Sequence, residues 1–196
     1  MPRFTENEKE QIRNKLITEG EKLFAAYGVK KVTIDDLVEA AGIAKASFYK
    51  FYESKEYLYL DIVQRIQKKI FTELNSILDS NVNLSSKERV RQTFSAMFNM
   101  MLRYPILAQI DMNTIELIAR KVSKERLSVF NEQNIDAVQA LLNHGINFSC
   151  DIKTASCVFQ ALYHSWTYLQ GKNVDIQTSV INILLNAVIN QIVVDW

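Results

Sequence analysis

Proline and glycine are scarce in this chain, at two and five of 196 residues. A turn-rich all-β fold needs far more of both, so the shortage excludes one and leaves room for long unbroken helices. Cysteine is scarcer than average too, with Cys150 and Cys157 alone. Seven positions apart on a helix, they would stand about 10 Å from each other, too far to bridge. With no secretory signal at the N-terminus, this predicts a cytoplasmic protein with reduced thiols. No run of eighteen apolar residues occurs, so no membrane contact is expected. The charges nearly cancel, at a formal +1, and point to no class of partner. Gly-rich phosphate loops, G-x-S-x-G, H-E-x-x-H and paired-cysteine motifs are all missing, which argues against an enzyme. His144 and His164 have no neighbours at zinc spacing, so neither metal nor cofactor is expected.

What remains is helical patterning and an apolar share of 48%, enough for one substantial core or a small domain fused to a larger one. Apolar residues Ile12, Leu16, Phe24 and Tyr27, with Leu23 beside them, predict a helix over Glu6 to Tyr27 that stops at Gly28. Thr33 caps a short helix ending at Ala41, with Asp35 and Asp36 in its first turn. Another runs from Ala44 to Tyr52. Ser54 caps a long helix reaching Leu78. Five more patterns follow, at Lys87 to Arg103, Ile106 to Ala119, Lys124 to His144, Asp151 to Gln170 and Asp175 to Val194. No segment reads as a strand, and the fold class is all-α with about nine helices. The last helix is apolar at Val180, Ile181, Ile183, Leu184, Leu185, Ala187, Val188, Ile189, Ile192 and Val193, on more than one face. Such a helix is buried on most sides, either centrally or against a second subunit.

One stretch stands apart. Residues 42–58 read GIAKASFYKFYESKEYL, with lysines set among aromatics and no acid before Glu53. Two short helices joined by a glycine turn have helix-turn-helix spacing. Leu37, Ala41, Ile43 and Phe48 would pack the pair, with small Ala40 and Ala41 allowing close approach. The outer face of the second helix would carry Lys45, Ala46, Ser47, Tyr49 and Lys50. A helix entering a major groove needs donors, small residues at close approach and no carboxylates.

The segment TIDDLVEAAGIAKASFYKFYESKEYLYLDIV resembles the DNA-binding domain of TetR/AcrR-type transcriptional repressors. Thr33, Gly42, Tyr49, Tyr52, Lys55, Glu56 and Leu58 match the family pattern. Ala44, Ala46 and Lys50 depart from it, standing where serine, glycine and histidine or tyrosine are common. The resemblance covers about the first 60 residues and implies a helix-turn-helix domain at 1–53 and a helical ligand-binding and dimerisation domain at 54–196. It implies that Lys45 and Ala46 face bases, that Thr33, Ser47, Tyr49 and Lys55 hold phosphates, and that Lys50 does either. Phe48 and Tyr52 remain packing residues. The expected partners are a palindromic double-stranded DNA operator, a small-molecule effector, and a second copy of the chain held through the last two helices.

For the effector, Met97, Met100, Met101 and Tyr104 cluster on one stretch and Phe159, Tyr163 and Trp166 on another. Met and aromatic side chains suit an adaptable apolar cavity, though the same stripes serve equally as plain core. Asp111 and Glu116, set in an apolar run, would pair with a cationic ligand if buried, or else face solvent. The alternative to effector control is a DNA-binding factor of the same fold governed by a protein partner, or by no effector at all.

Overall fold

In a computed structural model the described residues are 5–127, 136–169 and 171–195. They are almost wholly helical and form two compact units. The first takes in residues up to Gln67 and those from Tyr104 to Leu127; the second takes in Lys68–Arg103 and the described residues from Asp136 on. Neither unit is one consecutive stretch of chain.

In the first unit, α1 spans Glu6–Lys31. Thr5 and Glu8 cap its start reciprocally. Gly28 interrupts it at φ 74°, ψ 158°, a conformation that glycine alone adopts at ease. The expected stop at Gly28 is therefore a break followed by one more turn. Helix α2 (Ile34–Ala41) ends on Gly42 in the left-handed region, where Ile43 N–H donates to Val38 O. Helix α3 spans Lys45–Phe48 and α4 spans Lys55–Ser80.

The core of this unit is Leu16, Phe24, Leu37, Phe48, Leu58, Tyr59, Ile62 and Ile66. The rings of Phe24 and Tyr59 meet edge to face at 5.3 Å. Gly20 lets α1 approach α4: a Cβ there would stand 3.1 Å from Ile62 Cδ1 and 3.2 Å from Leu58 Cδ2. Two expected packing residues lie outside. Tyr27 is exposed, just before the break at Gly28, while Val29 beyond it is buried, and Ala40 is exposed while Val38 takes the buried position. Pro105–Gln109 forms a 3₁₀ turn packed on α1, with Gln109 donating to Ala25 O at 3.3 Å. Asp111 then caps α6 (Met112–Lys121) through Thr114 N–H. The single helix expected from Ile106 to Ala119 is thus two elements, split because Asp111 caps a new start.

In the second unit, α5 (Ser86–Leu102), α7 (Asp136–Asn143), α8 (Ile152–Tyr168) and α9 (Val174–Ile192) pack with the second half of α4. The helix expected from Lys124 to His144 crosses 128–135, outside the described residues. Phe94 stacks on Phe159 at 4.4 Å, and Phe148 meets Phe159 at 5.9 Å. Arg89 is buried, and its guanidinium donates to Leu78 O and His144 O, holding the ends of α4 and α7 together. The absence of strands needs correction. Asn147–Phe148 (β1) and Val193–Val194 (β2) pair antiparallel, so α9 ends at Ile192.

Candidate nucleic-acid interface

Thr33 opens the reading end of the first unit. Its backbone is extended, its hydroxyl accepts from Asp36 N–H at 3.2 Å and donates to Asp36 Oδ2 at 2.8 Å, and its own N–H donates to the same carboxylate at 2.7 Å. These bonds hold the Asp36 carboxyl below the usual carboxylate range. The result is a rigid start for α2 with the Thr33 side chain exposed.

Gly42 turns the chain into α3, which is shorter than expected. Its α-helical bonding ends at Phe48 and tightens into i+3 bonds, with Lys50 N–H donating to Ser47 O and Phe51 N–H to Phe48 O. Lys45, Ala46, Tyr49 and Lys50 are exposed, Ser47 is half-buried, and Phe48 is buried. The structure therefore brings five of the seven predicted contact residues onto the outside of one turn and its tight continuation.

Tyr52 fixes that turn from behind. It is buried, and its hydroxyl donates to Asp61 Oδ2 at 2.6 Å. The Arg13 guanidinium sits 5.8 Å from its ring centroid. Burial, then the bond to Asp61, pushes the phenol well above the ordinary tyrosine range. The rings of Phe48 and Tyr52 lie 6.0 Å apart and those of Phe48 and Tyr49 5.6 Å apart. An aromatic wedge thus sets α3 on the body of the unit while its outer face stays exposed to solvent.

Two lysines are already engaged. Lys55 Nζ donates to Val32 O at 2.5 Å and to Lys30 O at 3.3 Å, tying the start of α4 to the end of α1. Lys45 Nζ lies 2.9 Å from the Asp35 carboxylate. Sequence reasoning passed over Asp35 as a helix-dipole residue; the signal was an acid two positions after Thr33, on the same end as the lysines. The hydroxyl expected to cap α4, Ser54 Oγ, is buried with no hydrogen-bond partner among the described residues, so Lys55 does the tying instead.

Residues 16–62 match the family profile of bacterial regulatory proteins, tetR family. Over that stretch the chain is similar to the TetR family of regulators. Among its relatives is the HTH-type transcriptional repressor KstR2 of Mycobacterium tuberculosis, 25% identical over 134 residues. That stretch is 68% of this chain and 66% of KstR2, so it spans just under two thirds of the relative's length. The nucleoid occlusion factor SlmA of Vibrio campbellii is 25% identical over 104 residues, 53% of this chain and 50% of SlmA. The likeness of fold takes in residues of both units. The fatty acid degradation regulator FadR from Bacillus halodurans superposes with a TM-score of 0.70 at 13% identity, over 96% of this chain and 97% of that one.

The predicted effector residues lie on two sides of the unit division. Met97 lines a small apolar cavity of about 30 Å³ in the second unit, with Phe71, Leu74, Leu78, Phe94 and Leu141 around it. Met100, Met101, Phe159 and Trp166 are buried. Tyr163 is half-buried, its phenol pushed up to about 12 by burial. Tyr104 belongs to the first unit. Asp111 and Glu116 are exposed, one capping α6 and one paired with Arg120, so neither waits in a buried site for a cation. No group of metal-binding side chains occurs among the described residues, and no helix among them is long and apolar enough to cross a membrane.

Proposed function

We propose that this protein is a sequence-specific DNA-binding transcriptional repressor, a dimer released from a palindromic operator by a small, largely apolar or aromatic ligand. The observation that carries the reading is the exposed face of Lys45, Ala46, Tyr49 and Lys50 within a TetR-type match over 16–62. Lysine ammonium groups and a tyrosine hydroxyl are donors for base edges and phosphates, and Ala46 lets the backbone come close. Thr33 adds a hydroxyl and Ser47 a second. The name of the relative KstR2 supports the repressor sign.

Dimerisation rests on α8 and α9. One stripe of α9, Ile181, Leu185 and Ile189, is buried within the chain. A second stripe, Ile176, Val180, Ile183 and Ala187, is exposed or half-exposed, with Ile183 at 68%. An apolar stripe at i, i+4, i+7 and i+11 is a surface for a partner helix. In a two-fold dimer the two reading helices sit about 34 Å apart, one turn of DNA. A ligand that fits best when that spacing is wrong lowers DNA affinity by linkage. Met97, Met100, Met101, Phe159, Tyr163 and Trp166 are the proposed ligand-facing set, and a cytoplasmic location follows from the work of such a protein.

The size of the cavity favours a second reading. About 30 Å³ holds little more than water, so an effector must widen it. A factor of this fold with no small-molecule effector needs no such opening. The test selects duplexes bound by the purified protein and footprints the best. Protection of a palindrome over two adjacent major grooves, lost in Lys45→Ala, supports the reader. A panel of apolar ligands then separates the two readings: compounds that bind and release DNA support effector control, and none doing so supports the second.

A further inference from the structure

The reading face holds one carboxylate that its task does not call for. Asp35 stands in the first turn of α2, and its Oδ1 accepts from Lys45 Nζ at 2.9 Å, joining α2 to α3 across the glycine turn. Both side chains are open to solvent, Lys45 at 52% and Asp35 at 70%. The neighbouring Asp36 is taken up by the Thr33 cap, so Asp35 is the acid of this turn that meets the lysine. An exposed ion pair stabilises a fold very little, so stability does not explain it. Its electrostatic effect on DNA is larger. A free lysine that meets a phosphate displaces a condensed counterion, and that displacement drives binding to any sequence. A lysine already neutralised by a carboxylate contributes no such drive, and the carboxylate repels the phosphates beside it.

We propose that Asp35 is a specificity-determining positioning residue that holds Lys45 in one orientation on the outer face of α3 and screens it from indiscriminate phosphate binding. The proposal rests on the DNA-binding reading above. Lys45 then adds affinity where a base edge offers acceptors in the orientation the pair imposes, and little elsewhere. The Lys45 proton is held more tightly than in an ordinary lysine, chiefly by the hydrogen bond to Asp35, in keeping with a formed pair.

The experiment measures binding of a mixed-sequence DNA duplex by fluorescence anisotropy between about 50 and 200 mM salt, a range over which phosphate contacts dominate. The variants are Asp35→Asn, Asp35→Glu, Lys45→Ala and the Asp35→Asn/Lys45→Ala double, each first checked for native melting by circular dichroism. Asp35→Asn binds several-fold more tightly than wild type at the low-salt end, and its log–log salt slope steepens by about 0.9 for each chain bound. Asp35→Glu keeps the wild-type slope, and in the Lys45→Ala background Asp35→Asn leaves the slope unchanged and gives only the smaller gain that lifting the carboxylate's repulsion allows. An unchanged Asp35→Asn slope with normal wild-type binding overturns this proposal alone. An equal gain in the Lys45→Ala background also overturns it, because Asp35 would then act without Lys45. Salt-insensitive binding or none by every variant overturns the DNA-binding reading and this proposal together.

Discussion

Tyr52 joins the reader to the rest of its unit through one hydroxyl. The bond it donates to Asp61 is charge-assisted and largely shielded from water, and such bonds contribute about 1.5–3 kcal/mol. Tyr52→Phe keeps the ring against Phe48 and loses that bond. Chemical denaturation of the variant shows stability lower by about 2 kcal/mol, and DNA affinity falls with it as α3 loosens. The buried phenol also sets an alkaline limit. Its folded value lies above its unfolded one, so on raising the pH past about 10 the unfolded chain loses its proton first. Stability is therefore fully present below that pH and falls above it, and Tyr163 acts in the same direction. Denaturation midpoints taken from pH 8 to 11 show this fall in the wild type and a shallower one in Tyr52→Phe. In the second unit Arg89 has the comparable place. Arg89→Ala strands the Leu78 and His144 carbonyls and costs about 3 kcal/mol or more, read as a lower melting temperature.

Helix starts carry the acid limit. Glu8, Asp36, Asp111 and Asp151 each accept bonds from the residues they cap or are capped by, and each carboxyl is held below its ordinary value. A depressed carboxyl contributes stability above the unfolded value and loses it as the pH falls through the folded one. The ordinary values here are 4.5 and 3.8, so the loss begins near pH 4.5 and deepens below it. Carboxyl resonances followed by NMR titrate below those values, and the melting temperature drops over the same range. Of these caps the one at Thr33 was legible in the sequence, because a short oxygen-bearing side chain before an apolar period has one physical use, whereas Asp151 was read as the first residue of its helix and not as the cap. Gly42 was legible for the same kind of reason, since a tight helix-to-helix turn requires the left-handed region. The two-residue strands were not, because Val193 and Val194 continue the apolar period of α9 and only the return of residues 147–148 makes them a ladder. Asp111 was misread as part of a helix because a capping acid inside an apolar run looks like an exposed helical one. The Lys45–Asp35 and Lys55–Val32 contacts join residues 10 and 23 positions apart, and no periodicity encodes them.

The whole molecule is proposed to act as a pair. The exposed α9 stripe centred on Ile183 is an apolar feature that packing among the described residues does not cover. A charge there has nowhere to go in a packed interface, since burying an unpaired carboxylate costs several kcal/mol. Ile183→Glu sediments as a monomer at micromolar concentration where the wild type sediments as a dimer. Its melting as a monomer stays within about 0.5 kcal/mol of normal, because the site is exposed in the single chain. Its operator affinity falls by orders of magnitude, since half-sites are then bound one at a time. The central claim, that the face made by α2 and α3 meets DNA, is tested most directly by amide hydrogen exchange on the full-length protein with and without a selected duplex. Slowed exchange concentrated at residues 33–52 and at the start of α4 is the predicted result. Exchange unchanged there in a demonstrably bound complex, with protection elsewhere on the chain, would contradict it.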